Sequence, residues 1–203
     1  MQAINEILDC IEKGDLPSDE LLDSLLPEEL RIHADQHFAG AYAIQLASAF
    51  LVKDQSSPHI LDIGSGTGKF CLLGALLHKT AHFTGVEYRP EFIQIAEALA
   101  TQLGLQNVKF QRENILSHSF EKYNGLFMFN PFLEHRNAHS RMQDFPDDPS
   151  QESEYVSYVR DQLSKCGLGV RLVTLYVSPE QVPGNFILQD QKMGGTLRFY
   201  ICQ

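Results

Sequence analysis

The chain of 203 residues lacks paired cysteines, an unbroken hydrophobic run, a basic cluster and any internal repeat. Each absence removes a class of protein. Cys10, Cys71, Cys166 and Cys202 are scattered without paired spacing, which points to reduced thiols and not to a disulfide framework. The longest apolar stretch, near Ala39 to Val52, is interrupted by Gln45 and Ser48 and is too short and too polar to span a membrane. No basic segment leading into an apolar one opens the chain, so no secretory signal is read and a cytoplasmic monomer is expected. Without a basic stripe, a small molecule or a protein is a better partner than a large nucleic acid. His33 and His37 stand four apart, as do His135 and His139, but neither pair has a third ligand and no His-Glu-x-x-His occurs. Exposed histidines are expected there, and no metal.

What is present is a globular composition, 43% hydrophobic, of single-domain size. The net charge of -10 is uneven: residues 1–30 carry nine acidic groups and one basic, and the remainder is nearly neutral. The acid therefore sits on an N-terminal appendage. Ile4, Ile7, Leu8 and Ile11 recur at helical spacing up to Gly14; Ser18 caps a second short helix; and Pro27 opens a third at its first helical position. This appendage reads as a helical cap over residues 1–33, with a flexible partner-binding arm as the alternative.

A long helix is predicted from about Ala34 to Val52. Strands follow at His59, at 81–87, 107–112, 125–129 and 170–177, alternating with helices at 90–103 and 154–166. Residues 134–152 read as a long polar loop. The tail carries a hairpin signal around Gly194-Gly195. Alternation of this kind describes a doubly wound parallel sheet closed by an antiparallel edge.

The most informative stretch is Ile60-Leu61-Asp62-Ile63-Gly64-Ser65-Gly66-Thr67-Gly68-Lys69-Phe70: a buried strand, a tight glycine turn and the start of a helix. Glycines let the backbone turn sharply and let a ligand approach the main chain. A P-loop needs four residues between its glycines and a Ser or Thr after the lysine; here three separate Gly64 from Gly68, and Phe70 follows Lys69. The dinucleotide fingerprint wants glycine at the sixth position, which is Lys69.

Asp-x-Gly-x-Gly-x-Gly resembles motif I of the class I, Rossmann-like S-adenosylmethionine-dependent methyltransferases, and the layout of residues 34–203 is similar to that family's domain. The resemblance implies an α/β fold: a doubly wound, mostly parallel seven-stranded sheet with helices on both faces, an antiparallel C-terminal hairpin and an N-terminal helical extension. That family usually has a further helix between the fifth strand and the hairpin. Only Ser178 to Gly184 is available for it, so it should be missing or a single turn.

The resemblance also implies site residues. Gly64, Ser65, Gly66 and Gly68 would approach S-adenosyl-L-methionine through the main chain, and Asp62 would orient its methionine amino group. Glu87, closing the second strand after Gly85-Val86, would accept from the ribose hydroxyls, and Tyr88 would flank the adenine. Asn114 and Ile115, after the third strand, would meet the base. Asn130-Pro131-Phe132 lies where the family's acceptor-facing motif is found, with Asn130 next to the cofactor as well. The family's amino-group motif has a second proline and an aromatic where Phe132 and Leu133 stand here. The expected function is methyl transfer to an unidentified acceptor, with nitrogen favoured. The alternatives are a non-catalytic cofactor-binding scaffold and a nicotinamide oxidoreductase, the latter disfavoured by Lys69.

Overall fold

The structure, a computed structural model, describes residues 2–32, 39–130 and 149–203. The helices are α1 (Gln2–Glu12), α2 (Asp19–Asp23), α3 (Glu28–Arg31), α4 (Ala41–Val52), α5 (Lys69–Leu77), α6 (Pro90–Gln102) and α7 (Pro149–Ser164). The strands are β1 (His59–Ile63), β2 (His82–Glu87), β3 (Val108–Arg112), β4 (Gly125–Phe129), β5 (Arg171–Leu175), β6 (Phe186–Lys192) and β7 (Leu197–Cys202). They form one seven-stranded sheet in the order β3-β2-β1-β4-β5-β7-β6. The first five run parallel, and β7 pairs antiparallel with both β5 and β6.

Strands buried on both faces explain the runs Ile60-Leu61 and Leu126-Phe127-Met128, which lack polar alternation. One face packs under α4, α5 and α6, where Phe70 stacks on Phe127 with ring centroids 3.9 Å apart. The other face packs Leu61, Ile63, Val86, Leu126 and Met128 against Val159 and Leu163 of α7. The chain leaves β1 toward β2 on one side and has β4 on the other, so a crevice opens at the carboxyl ends of these strands.

Three expectations need correction. The helix predicted from Ala34 begins at Ala41: residues 34–38 lie outside the described residues, and Gly40 is the extended N-cap residue. Gly40 has no side chain to cap with, and Asp19 of α2 does so instead, its Oδ1 accepting from the Ala41 N–H at 2.7 Å. The loop predicted over 134–152 ends earlier, because α7 begins at Pro149. Proline is favoured at a first helical position, so a stretch of loop composition can already contain a helix start. Pro27 is the N-cap of α3 and not its first residue. Between β5 and β6 there is a single 3-10 turn, Pro179–Gln181, as the short spacing implied.

The acidic appendage packs on the domain through Ile4, Ile7, Leu22 and Leu26, which share the core of α4–α6. The boundary expected at residue 33 falls outside the described residues, as do both histidine pairs. The appendage is also held by charge. Lys69, the first residue of α5, donates to Asp23 at 2.6 Å and to Asp19 at 3.1 Å, and its side chain is only 9% exposed. A lysine that closely desolvated is stable as a cation only beside such partners. Replacing Lys69 by Met should cost about 1–3 kcal/mol, which is a fall of roughly 2–4 °C in the thermal midpoint per kcal/mol for a chain of this size. An unchanged midpoint by scanning calorimetry would show that the ion pairs contribute nothing.

Candidate functional site

The glycine turn leaves β1 and is fastened at once to β2. The N–H groups of Gly64 and Ser65 both donate to the Val86 carbonyl at 3.0 Å, and Gly68 N–H donates to Ser65 O at 2.9 Å. Gly64, Gly66 and Gly68 have φ of 74°, 53° and 83°, a region that glycine enters without strain. At Gly68 space excludes any other residue as well: a Cβ would lie 2.5 Å from the Phe110 ring and 3.0 Å from Ala96 Cβ. Gly85 of β2 serves the same packing from the other side, since a Cβ there would lie 2.6 Å from Ser65 Oγ. The Ser65 side chain thus packs back against β2.

Glu87 is 3% exposed and turned toward the glycine turn. Its Oε2 accepts from Gly66 N–H at 3.1 Å. Oε1 accepts from the N–H groups of Tyr88 and Arg89 at 3.0 and 3.1 Å. The Arg89 guanidinium completes a bidentate pair, Nε to Oε1 at 3.0 Å and Nη2 to Oε2 at 3.1 Å. Arg89 in turn lies 4.0 Å above the Phe92 ring, which fixes its plane. A diol binding to this carboxylate must exchange with part of the arginine fork. Arg89 is absent from the sequence expectations, and Gly85 enters them only as part of the spacing that leads to Glu87. The signals available were a cation two residues past the acid and a side-chain-free position two residues before it.

Asp62, at the penultimate position of β1, is 3% exposed. The Cys71 thiol donates to its Oδ2 at 3.6 Å. Burial pushes its carboxyl up to about 8, the Cys71 hydrogen bond opposes this, and the charge of Glu87 adds a smaller push upward. The same burial and the neighbouring carboxyl push the Cys71 thiol well above its ordinary range. Burial therefore biases Asp62 toward its neutral form in the free protein. A cation placed beside it would draw off its proton.

Beyond β3, Asn114 Oδ1 accepts from Leu116 N–H at 3.0 Å and its Nδ2 donates to the Tyr155 hydroxyl of α7 at 2.9 Å. Its amide thus holds the following turn to α7, and the buried Ile115 packs below. Glu113 pairs with the buried His118, whose other nitrogen meets the Tyr123 hydroxyl at 2.8 Å. Tyr88 is 37% exposed beside Glu87. Asn130 follows β4 with φ of 35°, its N–H donating to Leu175 O at 3.2 Å. Because Ile63 pairs with Met128, Asn130 sits on the same rim as the glycine turn. Pro131 and Phe132 lie outside the described residues. The rim thus brings together the turn, Asp62, Glu87, Tyr88 and Asn130, and directs Asn114 elsewhere in the free protein.

Residues 54–154 match a family model described as a methyltransferase domain. A tRNA (guanine-N(7)-)-methyltransferase from Synechococcus sp. (strain JA-3-3Ab) is 44% identical over 66 residues, 31% of this chain and 28% of that protein. The chain spans little more than a quarter of the length of the curated relatives it matches. Among solved structures, magnesium protoporphyrin IX methyltransferase from Synechocystis PCC 6803, with bound SAM, superposes with a TM-score of 0.57 at 14% identity, covering 87% of this chain and 83% of that one. An RNA methyltransferase from Salinibacter ruber, in complex with S-adenosyl-L-homocysteine, gives 0.50 at 16% identity, covering 79% and 86%. At these identities the likeness to solved structures is one of fold.

Asp62 makes stability depend on pH with a defined sign. Its folded pKa lies above its unfolded one, so between about pH 4 and pH 8 the folded state holds a proton that the unfolded chain has released. Its contribution is complete below pH 4 and is lost as pH rises to 8. In Asp62→Asn the unliganded protein should gain stability over the parent progressively from pH 5 to pH 8.5, read as the difference in thermal midpoint. A difference independent of pH would show that Asp62 is ionised throughout.

Proposed function

Because the chain carries a methyltransferase domain of the class I, Rossmann-like family, we propose that it transfers a methyl group from S-adenosyl-L-methionine to a nitrogen acceptor. The observation that carries the reading is the convergence at one rim of a side-chain-free turn, a carboxylate aimed at that turn and a buried acid. Glu87 would accept from the ribose hydroxyls, taking them in place of part of the Arg89 fork. Asp62 would answer the ligand's α-ammonium, and Tyr88 with Ile115 would flank the adenine. Asn114 could turn to the base only by releasing Tyr155.

Charge separates this ligand from a dinucleotide. A pyrophosphate seeks the N–H groups at the start of a helix. Here the start of α5 carries Lys69 already paired to Asp19 and Asp23, so an anion arriving there would meet two carboxylates. A ligand bearing an ammonium and a sulfonium suits the same surroundings.

The sulfonium makes its methyl electrophilic, so that a nitrogen lone pair forms the new N–C bond as the C–S bond breaks and leaves its electron pair on sulfur. The protein's part is to hold donor and acceptor in line, an effect worth on the order of 7–11 kcal/mol. Asn130 would orient the acceptor nitrogen, with Pro131 and Phe132 proposed as its neighbours in the acceptor site. An N–H acceptor loses its proton to water after the transfer, so no dedicated base is required. The names of the curated relatives, which act on a guanine nitrogen of tRNA, support nitrogen as the acceptor atom.

Calorimetry with S-adenosylhomocysteine should give saturable heat, weakened roughly ten- to hundredfold in Glu87→Gln for the loss of charge-assisted hydrogen bonds. At pH 6, where an α-ammonium is fully protonated, binding should release a proton from Asp62. This would be seen as a dependence of the heat on buffer ionisation that disappears in Asp62→Asn. No heat would remove the reading. Heat without transfer of labelled methyl to any cell fraction would return the scaffold alternative.

A further inference from the structure

Resting on the methyl-transfer reading above, we propose that Tyr176 is the platform on which the acceptor stacks, and that the acceptor is a planar nitrogen heterocycle. Tyr176 follows β5 directly. The β4–β5 register pairs Phe129 with Leu175, which makes Asn130 and Tyr176 neighbours one step beyond the last pair. The link is closed by Asn130 N–H donating to Leu175 O at 3.2 Å.

A single exposed tyrosine is ordinary on a protein surface. What distinguishes this one is its backbone. Among the described residues, four that are not glycine have positive φ, and three gather here: Asn130 at 35°, Tyr176 at 56° and Met193 at 52°. Such conformations are costly and persist where surrounding structure holds them, most often at sites of function. The hairpin holds Tyr176, its N–H donating to Thr196 O at 3.0 Å, while the Thr196 hydroxyl donates to Met193 O at 2.8 Å. Its ring stands 6.0 Å from that of Phe129 and remains 54% exposed. Twisting the chain here thus keeps a large aromatic open to solvent beside Asn130, the residue that directly follows β4.

The chemistry fits a flat ring better than an aliphatic amine. The acceptor motif has Leu133 where the related amino-group motif has an aromatic. Tyr176 supplies an aromatic surface to the same rim from the neighbouring strand. When a ring nitrogen bearing a lone pair takes the methyl, no proton leaves, and the positive charge that was on sulfur ends on the heterocycle. An aromatic face against that ring favours the stacked acceptor and its cationic product alike.

The chain contains no tryptophan, so Tyr176→Trp places its only indole at this point. In protein saturated with S-adenosylhomocysteine, emission of Tyr176→Trp should be quenched saturably by at least one of the four ribonucleoside monophosphates or by unfractionated tRNA, and not by ethanolamine. The nucleotide and tRNA arms tell a free base from one carried in a polymer, and either supports the proposal. Ile187→Trp, at the opposite end of the sheet, should respond to none of them. Calorimetric binding of the active probe should weaken about five- to hundredfold in Tyr176→Ala and stay within about twofold in Tyr176→Phe, with S-adenosylhomocysteine affinity unchanged in both. Absence of quenching by every nucleotide and tRNA, equal quenching in Ile187→Trp, or undiminished binding in Tyr176→Ala would overturn the proposal. Because each arm is run with S-adenosylhomocysteine bound, failure of the cofactor reading would show first and separately, as missing heat for that ligand.

Discussion

Everything at the carboxyl rim depends on how the turn after β1 is tied to the end of β2. Two N–H groups share the Val86 carbonyl, and a third meets the next residue's carboxylate. This fixes the main chain of residues 64–66 and the direction of Glu87 in one arrangement. It is possible only because Gly85 leaves space for Ser65 and because Gly68 lets α5 start against Phe110 and Ala96. A buried carboxylate is stable only when it is answered, and Arg89 answers what the turn leaves of it.

The same rim collects acidic groups in layers. Asp62 lies deepest and is biased by burial toward its protonated form, Glu87 is held by the arginine fork, and Asp19 and Asp23 close over Lys69 at the start of α5. The acidic appendage is thereby part of the site's electrostatics as well as part of the core. It lends α5 a tethered cation and places carboxylates where a phosphate would otherwise be welcome.

Strand placement, the mostly parallel sheet with its antiparallel hairpin, and the place of Asp62, Glu87 and Asn130 at strand ends were legible in the sequence because they rest on short-range signals: apolar runs, glycine spacing and the distance from turn to acid. What was not legible depends on contacts between distant segments. Asp19 caps α4 from 22 residues away, so the helix start could not be found from residues 34–41 themselves. Pro149 opens a helix from within a stretch that composition marks as loop. Asn114 has the right place for a base contact, yet its amide is spent on Tyr155, a partner 41 residues later. Arg89 and Tyr176 gain meaning only from what the sheet sets beside them.

The most direct test of the central claim is an amide-resolved NMR titration of the full chain with S-adenosylhomocysteine. The account predicts that the largest shifts fall on the amides of residues 64–68 and 87–89, as the ligand meets the turn and the arginine fork yields to it. Saturable binding that leaves those amides unmoved, or shifts concentrated on α1 and α2, would contradict it.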